Sequence, residues 1–379
     1  MTRPSGMTGH TLPPGVRAER IETLWQRVDG NRIRFVVFTS LFVTIVSLLI
    51  SLVVAFGTAV VFIVAIAETE PEAVAALPAL AGGSFALSML ATTIWVLYRL
   101  SRSERWLVKR LGARITAKGE FASAKSVFKD VTIAAGFKHS PPLYIIDSDR
   151  VNAFALGRTH SRAVVGITQG FVERLTADQQ RAVFANLMAR VVTLDTLWAT
   201  AVSALMGPIW AMRERDLLRE DAHLLVKADA RTMPPLPTTH TSSAGGVAFA
   251  GIAVYGVAVV VTEVLSWWHQ KAAWMAAEKA DAEGMMLLKD PRSMLSALES
   301  VLDCNNHVTT AGDAFSQLFY CWAGFGFAPE DDPEYQRVAH LREVLGAEGL
   351  AQRPAPNLSG WACPPPPRLD DDETGAYGG

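Results

Sequence analysis

The sequence predicts a mainly α-helical, membrane-embedded chain that carries a smaller α+β part with a short β-sheet. Residues 35–67 form an uncharged run of 33 residues, more than the roughly 20 a helix needs to cross a bilayer. Residues 84–98 form a second apolar run, and the basic, more polar stretch after it mixes helical spacing with two short β-rich runs. Half of all residues are hydrophobic and only 19% are charged, as a membrane protein requires. The formal net charge of −2 leaves no overall basic excess with which to bind nucleic acid.

Taken in order, the chain begins with a cytoplasmic N-terminal segment, residues 1–33. A transmembrane hairpin follows at 34–100, its turn marked by Glu68, Glu70, Glu72, Pro71, Pro78 and Gly82-Gly83. Arg17, Arg20, Arg27, Arg32 and Arg34 precede the first run, and Arg99, Arg102, Arg105, Lys109 and Arg110 follow the second. The turn carries no Lys or Arg, so the positive-inside rule places both ends in the cytoplasm. The 34 residues ahead of the long run argue against a cleaved signal peptide.

Residues 101–192 form the cytoplasmic part. Helical spacing covers 113–135, strands are expected at 143–146 and 163–167, and Thr176-Ala177-Asp178-Gln179 opens a helix with Thr176 as its cap. A second hydrophobic pair, about 194–212 and 245–268 within 193–268, either crosses the bilayer or enters it without crossing; the mixed charges between the two favour neither. Residues 269–350 are helical in pattern, with Asp331-Asp332-Pro333 opening a helix to about Leu345. The Pro- and Asp-rich tail, 351–379, is expected to be disordered.

The chemistry of this order lies in four blocks. Pro141-Pro142-Leu143-Tyr144-Ile145-Ile146-Asp147 leads into Asn152-Ala153-Phe154-Ala155-Leu156-Gly157. Residues 163–171 follow, then a helix through Asn186, Leu187 and Arg190 with Asp195 five residues beyond Arg190. Further on come Ala277-Glu278-Lys279-Ala280-Asp281, Leu295-Ser296-Ala297-Leu298, and Pro333 with Arg337-Val338 and Leu341. This succession, over about residues 34–345, resembles the HtpX and CAAX prenyl protease family of integral-membrane zinc metallopeptidases, peptidase family 48.

The resemblance implies a zincin-like fold with a short sheet beside the zinc helix. It also implies an H-E-x-x-H pair at 186 and 190, with the general base at 187 and a third ligand at 277. In such a helix the two His, at i and i+4, share one face and one metal, and the Glu takes a proton from the bound water. Here Asn186, Leu187, Arg190 and Ala277 stand at those positions. Asn is a poor zinc ligand, Leu takes no proton, and Arg has no acceptor nitrogen. Glu278 is one place off register, a rotation of about 100° along a helix. The motif is degenerate, so neither a catalytic nor a metal-binding residue is expected.

Asn152, Asp195 and Asp281 stand as the resemblance implies. Asn152 is a turn-former or a functional contact, Asp195 a hydrogen-bond acceptor anchoring a helix, and Asp281 a buried paired group or a substrate contact. Arg190 is either a snorkelling arginine or a fixed cation in the emptied metal site, paired with Asp281 or Asp195. An edge strand at 163–167 would hold extended peptide by main-chain hydrogen bonds. This makes Val165, Thr168 and Arg190 the candidate peptide-binding residues.

None of the eight histidines forms an i, i+3 or i, i+4 pair, and Cys304, Cys321 and Cys363 form no C-x-x-C. That spacing argues against a replacement metal site, a thiolate zinc site or a disulfide framework. The expected protein is a multipass plasma (inner) membrane homologue of these peptidases, in contact with the lipid bilayer, catalytically inactive and without a cofactor. It would bind peptides or membrane proteins, or regulate a partner. Two alternatives remain: an active metalloendopeptidase whose atypical site uses zinc, and a structural membrane scaffold.

Overall fold

The computed structural model describes residues 24–65, 77–208, 277, 279–304, 306–308, 313–322 and 333–346. The expected apolar stretch at 245–268, Glu278 and the tail lie outside the described residues.

Helices α1 (Leu24–Ala65) and α2 (Leu77–Ser101) pair as a hairpin. Both are long and apolar enough to cross a membrane, over Trp25–Thr58 and Ala81–Ser101. Their outer faces expose Leu48, Leu52, Val53, Leu87, Leu90, Ile94 and Leu97, the surface a hydrocarbon solvent favours. Between them the Ser51 and Ser84 hydroxyls lie 3.1 Å apart, and Ser88 donates to the Ser47 carbonyl at 3.0 Å. Small hydroxyl residues let two helices approach closely while satisfying their polar atoms. At about 1.5 Å per residue, α1 is longer than the roughly 30 Å hydrocarbon layer. Its N-terminal turns are free to reach the remainder of the fold.

Beyond α3 (Ser103–Arg110), strands β1 (Arg114–Ile115), β2 (Leu143–Ile146), β3 (Ala153–Leu156) and β4 (Val164–Thr168) form one sheet in the order β1-β2-β4-β3. β2 and β4 are parallel, while β1 with β2 and β3 with β4 are antiparallel. Gly166 makes the last pairing tight, because the Phe154 ring lies where its Cβ would stand, 2.1 Å away. Two expectations change here. The helical spacing over 113–135 resolves into β1 and a shorter helix, α4 (Ala122–Ala134), and 153–156 is a strand that periodicity alone left unmarked. Four buried apolar-side residues give no alternation to read.

Helix α5 (Gln169–Arg174) leads to α6 (Ala177–Val192), which begins with the expected Thr176 cap in a capping box with Gln179. α6 packs on the sheet side and on α4, where Phe184 meets Phe128 and Phe171 at ring-centroid distances of 5.0 and 5.4 Å. Leu194, in the left-handed region at φ 60°, turns the chain through 84° into α7 (Asp195–Leu205). Every residue of α7 is buried, and Trp198, Ala201, Val202 and Leu205 pack on Phe38, Phe42, Val96 and Leu100 of the hairpin. Alone, its 11 residues are too short to cross a bilayer.

Residues 279–288 form helix α8, and α9 (Pro291–Leu302) and α10 (Pro333–Leu345) complete the described part. Against the expectation from cysteine spacing, Cys304 is disulfide-bonded, while Cys321 is buried and not part of a disulfide.

Candidate functional site

One face of α6 carries Asn186 and Arg190, four residues apart and both buried. At the Asn186 end the partners are supplied by α8 and α10. Asn186 Nδ2 donates to Asp281 Oδ1 at 2.7 Å. The same carboxylate receives Arg337 in a fork, Nε to Oδ2 at 2.8 Å and Nη2 to Oδ1 at 2.9 Å. Arg337 Nη1 donates to the Tyr320 carbonyl at 3.0 Å and to Glu334. α8 reaches this depth through Gly284, where a Cβ would lie 3.1 Å from the Asn186 nitrogen and 2.6 Å from the Met294 methyl.

Arg337 is 1% exposed and Asp281 2%, so each charge depends on the other. Burial works against the Arg337 cation, but the charges of Asp281 and Glu334 outweigh it and hold its pKa well above the ordinary value. Leu187 faces away, into the apolar core. Ala277 is helical and offers no ligand atom.

The Arg190 end is built differently. Its guanidinium donates to three main-chain carbonyls, those of Gln317 at 2.6 Å, Phe319 at 3.0 Å and Leu318 at 3.4 Å. This corrects the expected pairing with Asp281 or Asp195, since a fork aimed at carbonyls is not free for a carboxylate. Burial lowers its pKa from the ordinary value, with the Asp195 charge the largest influence in the opposite sense.

Asp195 serves the α6–α7 bend. It accepts from Asn31 of α1 and, at 3.1 Å, from the Thr193 hydroxyl, and Arg27 lies 3.9 Å away. Arg27 also pairs with Glu283 on α8, so the first turns of α1 hold both helices.

Asn152 is buried and cross-links loops, its amide donating to the carbonyls of Asn306 at 2.8 Å and Cys321 at 2.6 Å. Thr168 is equally buried. Its hydroxyl contacts the Asn152 main chain and caps α5 by accepting from the Phe171 N–H at 3.2 Å. Val165 is 0% exposed, and β4 has hydrogen-bonded neighbours on both sides. The expected peptide contacts at Val165 and Thr168 are therefore corrected, because an inner strand has no free main-chain groups to offer. The Arg190 side chain does meet main chain, three successive carbonyls at 317–319, and they belong to this chain.

Sequence reasoning quoted Arg337 in a motif without giving it a partner, and it missed Asn31 and residues 317–321. A polar Asn at the mouth of a membrane helix is a signal for Asn31, since such residues are costly without partners. Nothing local in the sequence distinguishes 317–321.

Zinc requires several lone pairs converging on one point. Asn186 turns its amide donor to Asp281, both Asp281 oxygens accept protein hydrogen bonds, and Arg190 has only N–H groups to offer. Among the described residues no three His, Cys, Asp or Glu side chains are placed to hold a metal ion. As placed, Asn186, Arg190 and Asp281 do not fit zinc.

Similarity to known proteins runs in the other direction. Proteins named "Protease HtpX homolog" are 23% identical over 240 residues in Thermoanaerobacter pseudethanolicus, covering 59% of this chain and 71% of that one. In Salinibacter ruber the figure is 26% over 216 residues, covering 54% and 68%. In Thermococcus kodakarensis it is 32% over 107 residues, covering 28% and 37%. No solved structure matches the chain. The Peptidase family M48 model matches residues 118–344, well over half of the chain, from the last turn before α4 to the end of α10. The chain belongs to peptidase family M48.

Proposed function

We propose that this chain is an HtpX-like membrane pseudoprotease: a member of the family that keeps a zincin-like arrangement of sheet and helix without its hydrolytic chemistry, and that acts by binding or regulating a membrane partner. The observation that carries this reading is the Asn186–Asp281–Arg337 network. The face on which the family holds a metal is here closed by hydrogen bonds among protein side chains. Leu187 takes no proton and Arg190 gives none up at neutral pH, so no water is activated by this route.

The reading places the hairpin in the inner membrane and the part between α3 and α6 in the cytoplasm, following the basic flanks of α1 and α2. An impermeant thiol reagent should fail to label a cysteine placed at Ser103 in intact cells. Labelling from outside would reverse the orientation.

Membership of family M48 favours a second reading, an active metalloendopeptidase with an atypical site. Metal analysis separates the two. The detergent-purified protein is expected to hold no stoichiometric zinc, whereas one tightly held zinc per chain, lost to chelator together with proteolysis, would establish the enzyme. Joint replacement Asn186→His, Leu187→Glu, Arg190→His and Ala277→Glu should create zinc binding if the helices keep the family register. A folded variant that binds none would refute that register.

A further inference from the structure

The free edge of the sheet is covered by the chain itself. β3 has β4 on one side; on the other, Phe319 bridges Phe154 in antiparallel fashion and the Tyr320 N–H donates to the Ala153 carbonyl at 2.7 Å. The run begins as a 3-10 helix, Asp313–Leu318, then straightens along the edge. Its carbonyls are taken from three directions, by Arg190 at Gln317, Leu318 and Phe319, by Arg337 at Tyr320 and by Asn152 at Cys321. Gln317 is further tied to the Ser203 hydroxyl at 2.6 Å. Phe315, Leu318, Phe319 and Tyr320 are buried, with the Phe319 ring 5.8 Å from that of Phe154.

Covering an exposed edge is something many folds do for solubility. The cover here has a further feature. Its carbonyls are gathered by a guanidinium that no carboxylate among the described residues pairs with directly, at the helix position where the family resemblance places a metal ligand. Main-chain donors and acceptors on an edge strand, with a fork for carbonyls beside them, recognise extended backbone of any sequence.

We infer that the β3 edge with Arg190 and Asn152 is a peptide-binding site whose resident ligand is this chain's own segment 317–321. An added peptide or membrane-protein segment of the same extended, aromatic-apolar kind would meet a tethered competitor present at an effective concentration in the millimolar range, roughly. It would enter only after that segment is displaced. The inference rests on the proposed function only in taking this groove as a peptide site, and its test does not depend on metal or activity.

Hydrogen exchange on the full chain in lipid nanodiscs supplies that test, with a synthetic peptide of the 313–322 sequence as reference and probe. In the wild type the amides of 319–321 should exchange at least about 100-fold more slowly than in the free peptide, as edge-paired amides do. Arg190→Met keeps the aliphatic stem and removes the fork, and should speed their exchange about 10- to 100-fold while α9 keeps its protection. A photo-reactive form of the peptide should label the β3 region in Arg190→Met and not in the wild type, with a proline-substituted form, which lacks the main-chain N–H groups for edge pairing, labelling neither. Wild-type amides that exchange like the free peptide overturn the inference, as does equal labelling of wild type and variant. Should Arg190→Met not fold, the wild-type exchange and labelling still decide. Stoichiometric zinc would refute the pseudoprotease reading and leave these measurements intact.

Discussion

Arg337 and Arg190 share one buried neighbourhood, yet the first is held mainly by carboxylates, with one carbonyl, and the second by carbonyls. Arg337 reaches Asp281 through a fork and both Glu334 and the Tyr320 carbonyl through its remaining arm, and its pKa is raised well above the ordinary value despite burial. Among the described residues Arg190 donates only to main-chain oxygen, and burial lowers its pKa. A carboxylate partner locks two side chains to each other, whereas a carbonyl partner locks a guanidinium to a stretch of backbone. The Asn186 end of the α6 face is thus a fixed structural joint. The Arg190 end is a grip on a segment that begins 127 residues further along the chain.

Breaking the joint should have the larger effect. Asp281→Ala leaves the Arg337 charge buried without its main partner, and should lower stability by about 3–5 kcal/mol, measured by thermal unfolding in detergent. Replacing both partners with apolar residues, Asp281→Leu with Arg337→Met, should cost less than either single change. A double variant as unstable as the sum of the two would show that the charges are not coupled.

Loosening the grip should cost less globally. Arg190→Met removes hydrogen bonds but leaves no unpaired charge behind, so its expected loss is about 1–3 kcal/mol, with the change in exchange confined to 317–322. A loss equal to that of Asp281→Ala would mean the segment is part of the joint and the contrast would fail.

Gly284→Ala examines the joint from the other side. The added methyl meets the flexible end of Met294 and the Asn186 backbone, so the expected destabilisation is about 1–2 kcal/mol, with weakened protection of α8. The smallest effect is expected at the membrane end. Asn31→Ala removes donors to Asp195 and to the Thr193 carbonyl and should cost about 1 kcal/mol, again by thermal unfolding. An unchanged midpoint there would show that α1 does not brace the bend.

Much of this architecture follows from residues close in sequence. The two candidate spans are read from uninterrupted apolar runs, the start of α6 from Thr176 and Gln179, and the lack of zinc ligands and of a base at 186, 187 and 190 from the residue identities there. In each case one short window contains the whole physical cause, whether apolar length, a reciprocal cap or helical spacing. The acid at Asp195 belongs with these, because a carboxylate at the mouth of an apolar helix needs a donor.

Only the tertiary structure decided the order of the strands and the partners of the buried arginine. Residues 163–167 and 153–156 are both short and apolar, so nothing within either run tells an inner strand from an edge. β4 is inner because β2 and β3 both pair with it, and β3 is left as the edge that residues 319–320 cover. Likewise the sequence states that residue 190 is a cation without stating what it meets. A guanidinium accepts carboxylate or carbonyl alike, and the choice falls to whichever oxygen the distant chain brings within about 3 Å.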